Sequence, residues 1–98
     1  MSGKTPHILY AVYHLHIGGA QSLKDKRRII KGLKDRLRHR FNISLAEIDG
    51  FDQWQTATLG MTMINTERCE IDKTVESINN VILEARDIDV VDMHREWL

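Results

Sequence analysis

The chain has 98 residues, of which 42% are hydrophobic and 6% aromatic, and its 14 basic and 14 acidic residues give a formal net charge of zero. A chain of this length forms one domain with one core, which excludes an enzyme built from a cofactor domain and a separate substrate domain. The apolar fraction and the scarcity of proline exclude a disordered chain.

The sequence carries no signal for export or membrane insertion. Its longest apolar run is far shorter than the roughly 20 residues that span a bilayer, and residues 1–6 lack the apolar segment of a signal peptide. Cys69 is the only cysteine, so no internal disulfide can form. We therefore expect a cytoplasmic protein without a membrane partner.

Residues 1–7 are predicted to be a flexible N-terminal tail, followed by a single domain over residues 8–98. In Ile8–Ile17 the odd-numbered residues are apolar and the even-numbered face is more polar, which predicts a strand. The strand is expected to stop at Gly18 and Gly19.

A long helix is predicted from Leu23 to about Arg40. Ser22 and Asp25 have the spacing of a capping box, in which the carboxylate reaches back to the amide of the cap residue. The apolar residues of this segment fall within one arc of the helix: Leu23, Ile29, Ile30, Leu33, Leu37 and Phe41.

Two further strands, a second helix and a final strand complete the prediction. The two strands are predicted at about Phe41–Ile48 and Gln55–Ile64, and Thr66 is the predicted cap of the second helix. The last strand is predicted at Ile88–Trp97, where Val91, Met93 and Trp97 share one side. The order β-α-β-β-α-β is the split βαβ pattern of the ferredoxin-like α+β fold. We expect a four-stranded antiparallel sheet with both helices on one face and the other face open.

The neutral total hides a separation of charge along the chain. Residues 22–40 hold nine basic and two acidic residues, a net charge of +7, whereas residues 41–98 have a net charge of −8. Five basic side chains of the helix project within one exposed stripe, the basic stripe: Lys24, Arg27, Lys31, Lys34 and Arg38. Such a stripe suits a phosphate backbone; the alternatives are a solvated face or pairing with the acidic part of a second subunit.

Arg28 and Lys26 complete the predicted anion-binding residues. Lys26 projects into the apolar arc, where its stem would pack while its amine reaches the rim of the core. The alternative is an anion pocket formed by residues 18–22 and the helix N-terminus, with Lys26 as the counter-charge; an enzyme acting at this loop would use the same pocket.

Three histidines are predicted to share the open sheet face. His14 and His16 lie on the more polar face of the first strand. His94 lies in the last strand, which this fold places beside the first. With neighbouring Asp92 and Glu96 they form a set competent for zinc or iron. No pair has a recognised metal spacing, so no metal is assigned. The alternative is surface histidines, or an interface in which two sheets stack as a dimer.

Trp54 follows Phe51 in the predicted hairpin loop. An aromatic pair in a loop is a candidate stacking platform for an unpaired base, or it covers the end of the core. No catalytic residue is assigned, because the carboxylates near this turn, Glu47 and Asp49 among them, are ordinary for a turn. We expect no cofactor, and a binding module is favoured over an enzyme.

Several segments resemble the bacterial YlxP-like family, a domain of unknown function. The resemblance covers about residues 8–98, and Gln53 stands where the family usually has leucine. Its segments are Ser22-Leu23-Lys24-Asp25-Lys26-Arg27-Arg28, then Arg36-Leu37-Arg38 leading into Arg40-Phe41-Asn42-Ile43-Ser44, and finally Asp52-Gln53-Trp54-Gln55 followed by Leu59-Gly60.

The resemblance implies a ferredoxin-like fold and self-association, and it implies no catalytic residue. Genes of the family often lie beside those for a translation initiation factor and a ribosome-binding factor, which suggests a connection with RNA or the ribosome. The leading hypothesis is therefore a non-enzymatic, RNA- or ribosome-associated module that binds phosphates through its first helix. The alternative is a homo-oligomeric module, a dimer by default, whose open sheet face mediates self-association or binds a small ligand or metal.

Overall fold

A computed structural model describes residues 3–98 as six elements in the predicted order. They are β1 (His7–His16), α1 (Leu23–Arg40), β2 (Ser44–Asp49), β3 (Thr56–Asn65), α2 (Arg68–Glu84) and β4 (Asp89–Trp97). The strands form one antiparallel sheet in the order β2-β3-β1-β4. The ferredoxin-like α+β fold is confirmed, with β4 beside β1 as predicted.

The core lies between one face of the sheet and the two helices. Odd-numbered residues of β1, such as Leu9 and Leu15, meet Leu33 of α1 and Ile78 of α2 there, and all four are buried. Tyr13 is 1% exposed, and its hydroxyl donates a hydrogen bond of 2.6 Å to Asn79 Oδ1 on α2. The single polar atom of this large side chain therefore has a partner inside the core.

Helix α1 begins and ends where the sequence predicts. Ser22 Oγ accepts a hydrogen bond from the Asp25 amide at 3.1 Å, which satisfies one of the free donors of the first turn. The Asp25 carboxylate accepts from the amide of Gln21 at 3.2 Å, one residue before the expected donor. Phe41 has an extended backbone and donates its amide to the Leu37 carbonyl, so it ends the helix and β2 starts later, at Ser44.

Two predictions nearer the C-terminus are wrong. The N-cap of α2 is Glu67 and not Thr66, and its amide donates to the side chain of Asn65 at 3.0 Å. Val91, predicted to share one side of β4 with Met93 and Trp97, is 70% exposed, whereas those two side chains pack against the core. The register between β1 and β4 shifts between His14 and Leu15. Such a bulge reverses the alternation of inward and outward side chains along a strand.

The first strand begins at His7, so this residue of the predicted tail belongs to the sheet. Lys4 forms a 2.7 Å ion pair with Glu67 at the start of α2, with both side chains well exposed. Met1 and Ser2, also part of the predicted tail, lie outside the described residues. Within residues 3–98, neither helix is long and apolar enough to cross a bilayer.

Candidate nucleic-acid interface

Helix α1 presents the basic stripe along one flank because its apolar residues fix its rotation. Ile30, Leu33 and Leu37 are buried against the sheet, which turns the stripe toward the side of β2. Arg38 shows this directly, since its guanidinium donates a 2.7 Å hydrogen bond to the Leu45 carbonyl of β2. The remaining stripe residues are exposed or, for Lys34, half-buried.

The five cations of the stripe differ in whether they pair with a carboxylate of the protein. Lys31 pairs with Asp35 at 2.7 Å, and this hydrogen bond is the main reason that the pKa of Asp35 lies below its usual value. Asp35 therefore stays ionised and offsets the charge of Lys31. Within the described part of the chain, Lys24, Arg27 and Lys34 form no ion pair. These three residues are the cations most open to an external anion.

Lys26 does not belong to the exposed set. Its side chain is 1% exposed, and its amine lies 3.0 Å from Glu47 Oε2 and donates a 2.5 Å hydrogen bond to the Gly50 carbonyl. The amine is thus inside the protein and does not reach the rim as expected. Because Glu47 already balances its charge, Lys26 is not available to an anion. Sequence reasoning placed Glu47 only beside a turn, and no local spacing connects the two residues.

The anion pocket considered for residues 18–22 does not form either. Lys26 faces the connection between β2 and β3 and not this loop. The side chain of Asp87 lies so close to Gly19 that an added Cβ would come within 2.6 Å of its Cγ atom. A carboxylate at the mouth of the loop repels an anion. Arg28 lies one turn after Lys24, outside the stripe as defined, and approaches Asp25 at 3.9 Å.

Trp54 lies in the connection between β2 and β3 together with Phe51. Their exposed fractions are 44% and 55%, so neither ring covers the end of the core completely. The connection turns at Gly50, whose φ of 81° favours glycine. Since Lys26 binds the Gly50 carbonyl, this aromatic loop is tied to the first turn of α1. The exposed rings and the start of the basic stripe therefore lie at the same end of the domain.

The three histidines do share the open face of the sheet. His14 pairs with Asp92 across the β1–β4 ladder, and His94 pairs with Val12, so their side chains are diagonal neighbours. His16 lies beyond the bulge, opposite Asp89. His14 also shares a 3.1 Å hydrogen bond with the hydroxyl of Thr58 on β3. Among residues 3–98, no three or more His, Cys, Asp or Glu side chains are placed to hold a metal ion.

The open face also carries apolar side chains. Gly60 of β3 lies beneath Ile48, and a Cβ added there would come within 3.1 Å of Ile48 Cδ1. Ile64 pairs with Ile8 on the same face and is 55% exposed. Val91 adds a further exposed apolar side chain beside the face. This surface differs from the helix side of the molecule, where the basic stripe lies.

Comparisons with known proteins agree with this architecture. Residues 8–95 match the model of a family described as "Protein of unknown function (DUF503)". The chain is 30% identical over 78 residues to the uncharacterized protein YlxP of Bacillus subtilis (strain 168), which covers 80% of this chain and 85% of that protein. A de novo designed protein, Foldit4, shares the fold with a TM-score of 0.56 at 13% identity, over 92% of this chain and 96% of its own. The chain therefore belongs to the DUF503 family, the family of YlxP.

Proposed function

We propose that this protein is a non-enzymatic module that binds RNA, free or in the ribosome, through the phosphate backbone. The observation that carries the proposal is the set of exposed or half-buried cations on one flank of α1 in a protein of zero net charge. Lys24, Arg27 and Lys34 stand there without a carboxylate partner in the described chain. Like charges one turn apart lower helix stability, and an anionic strand removes that repulsion.

The geometry favours positioning contacts over base readout. Arg27 and Lys34 lie on one flank about 10 Å apart along the helix axis, so they contact different phosphates of a strand. Trp54, at the same end of the domain as the start of α1, offers a ring on which an unpaired base stacks. Stacking of this kind tolerates any base, so we expect weak sequence preference.

The first test measures the affinity for a structured RNA with an unpaired loop at several salt concentrations. Affinity should fall steeply with salt, because each neutralised phosphate contributes roughly 0.7–0.9 to the slope of log K against log salt. The double variant Arg27→Glu/Lys34→Glu should bind at least about tenfold more weakly and show a slope shallower by about 1.5. Fluorescence anisotropy of a labelled RNA measures both quantities.

The matched control is Lys73→Glu, which reverses an exposed charge on α2 that already pairs with Glu70. It should leave affinity and slope close to those of the unaltered protein. Trp54→Ala should weaken binding without changing the slope, since stacking releases no counterions. Absence of binding by the unaltered protein at low salt contradicts the proposal, as does an equal loss in the Lys73→Glu control.

A second candidate function is self-association through the open sheet face, with a second copy of the chain as the occupant. The specific observation is the exposed apolar side chains there, Ile48 and Ile64, with Val91 beside them. Four strands spaced about 4.8 Å apart, with an average length of about nine residues, give a face of roughly 600 Å². This area approaches the roughly 800 Å² per partner of a standard interface. A two-fold dimer buries the same face on both copies.

Sedimentation of Ile64→Lys tests this second function. The unaltered protein should sediment as a dimer, and Ile64→Lys should sediment as a monomer, because an interface that buries the amine leaves it without a partner. Leu83→Lys is the control, since Leu83 is 75% exposed on α2 and lies away from the sheet face. A monomer at every concentration of the unaltered protein, or a dimer that survives Ile64→Lys, contradicts it.

A further inference from the structure

A groove on the flank of α1 opposite the basic stripe is lined by three arginines. Arg28 and Arg36 stand on the same row of α1, and Arg86 faces them from the connection between α2 and β4. Gly32 lies between the first two arginines in the sequence of α1 and also lines the groove. None of these four residues was part of the basic stripe, although Arg28 was predicted to bind an anion.

Neither packing nor backbone conformation in the described residues requires glycine at position 32. Outside the nearby backbone of its own helix, a Cβ added there would meet no atom of residues 3–98 within 4 Å, so packing in the described chain leaves room for a side chain. Its φ is not in the left-handed region either, since Gly50 is the one described glycine with a positive φ. Glycine in the middle of a helix is less favourable than alanine because the unfolded chain is freer and the folded backbone is more exposed. The bare helix surface therefore allows a close approach from outside the chain.

The charges around Gly32 indicate the chemical class of the group that approaches the helix there. Guanidinium groups form paired hydrogen bonds with phosphate oxygens. In the described residues Arg36 and Arg86 have no carboxylate partner, and Arg28 has only the loose 3.9 Å contact with Asp25. Two acids, Glu84 and Asp87, also line the groove, so the three arginines are opposed by two carboxylates. The groove thus holds more free positive than negative charge.

We infer that a phosphodiester group of the bound RNA lies against the backbone of α1 at Gly32, held by Arg28, Arg36 and Arg86. The inference rests on the proposed function and extends it. The strand would contact both flanks of α1, with the basic stripe on one side and the arginine groove on the other. Arg28 and Arg36 are separated by about 12 Å along the axis, so they contact the two ends of a short backbone segment over Gly32.

The test fills the groove without changing its charge. Gly32→Leu places a side chain where the phosphate would lie, and it should raise the midpoint of thermal unfolding by about 2–6 °C because leucine is the better helix former. The same variant should bind RNA about tenfold more weakly or worse, so stability and affinity change in opposite directions. Ser77→Leu is the control: it adds leucine at an exposed site of α2 outside the groove and should leave RNA affinity unchanged.

Removal of the arginine charges provides a second measurement. Arg36→Gln and Arg86→Gln should each lower the salt slope of RNA binding by about 0.7–0.9, the contribution of one phosphate contact. If Arg27→Glu/Lys34→Glu abolishes binding while Gly32→Leu and both glutamine variants bind as before, the inference is wrong and the proposed function stands. If the unaltered protein binds no RNA at low salt, both are wrong.

Discussion

Replacing Glu47 by alanine is expected to lower the free energy of unfolding by about 3–5 kcal/mol. Lys26 is 1% exposed, and Glu47 is the carboxylate that balances its amine at 3.0 Å. Without Glu47 the amine retains only the Gly50 carbonyl as a partner among the described residues. The protein must then hold an uncompensated charge in its interior, which costs stability.

Denaturant unfolding of three variants separates the cost of an unpaired buried charge from the other effects of the substitution. Glu76→Ala removes an exposed acid of α2 and should change stability by less than about 0.5 kcal/mol. The double variant Lys26→Met/Glu47→Gln removes both charges and should recover much of the loss seen in Glu47→Ala, because no uncompensated charge then stays buried. A Glu47→Ala protein as stable as Glu76→Ala would show that the ion pair does not hold the amine in place.

The ion pair is also less than ideal in its hydrogen bonding. Lys26 lies within 3.0 Å of Glu47 Oε2, yet the alignment is not that of a hydrogen bond, and this buried oxygen has no hydrogen-bond donor within residues 3–98. An oxygen of this kind keeps part of its desolvation cost. The pair therefore specifies where the β2–β3 connection sits against α1 more than it adds to net stability.

The second large effect concerns alkaline pH. Burial raises the pKa of Tyr13 from 10.0 to about 12, although the positive charge of Arg95 acts in the opposite direction. The unfolded chain loses this proton near pH 10 and the folded chain near pH 12, so ionisation favours the unfolded state between these values. The stabilisation is complete below pH 10 and is lost as the pH rises through the folded pKa, by up to about 2–3 kcal/mol.

Tyr13→Phe is the control for the other groups that titrate in this range. It keeps the ring and removes the hydroxyl, so this component of the pH dependence should be absent. At neutral pH the variant should be less stable by about 1–2 kcal/mol, because Asn79 loses the hydrogen bond that it accepts at 2.6 Å. Urea unfolding from about pH 9 to about pH 11 compares the two proteins. Parallel stability curves would mean that Tyr13 is not protected from ionisation by the fold.

Features that depend on neighbours in sequence were predictable here. Helix α1 could be predicted from Ser22, which caps the first turn by accepting from the Asp25 amide. It could also be predicted from apolar residues such as Ile30 and Leu33, which repeat with the helical period. The shared face of His14 and His94 follows from the alternation of a strand and from the order of strands in this fold. These signals lie within one element or come from the topology.

Features set by contacts between distant segments were not predictable. Periodicity identified Lys26 as unusual, but its burial depends on Glu47 and Gly50, which the β2–β3 connection brings to it. The bulge that turns Val91 outward depends on the pairing of β4 with β1 and leaves no mark in the alternating pattern. The arginine groove was missed for the same reason, since Arg86 joins it from another element.

The hydrogen bond from Arg38 to the Leu45 carbonyl has a consequence for the solubility of the protein. Strand β2 lies at the edge of the sheet, and an edge strand is a template on which another chain can add a strand. A guanidinium that reaches from α1 to a carbonyl of β2 obstructs that addition. Arg38 thus occupies one carbonyl that strand addition at the β2 edge would need, while β4 forms the other edge of the sheet.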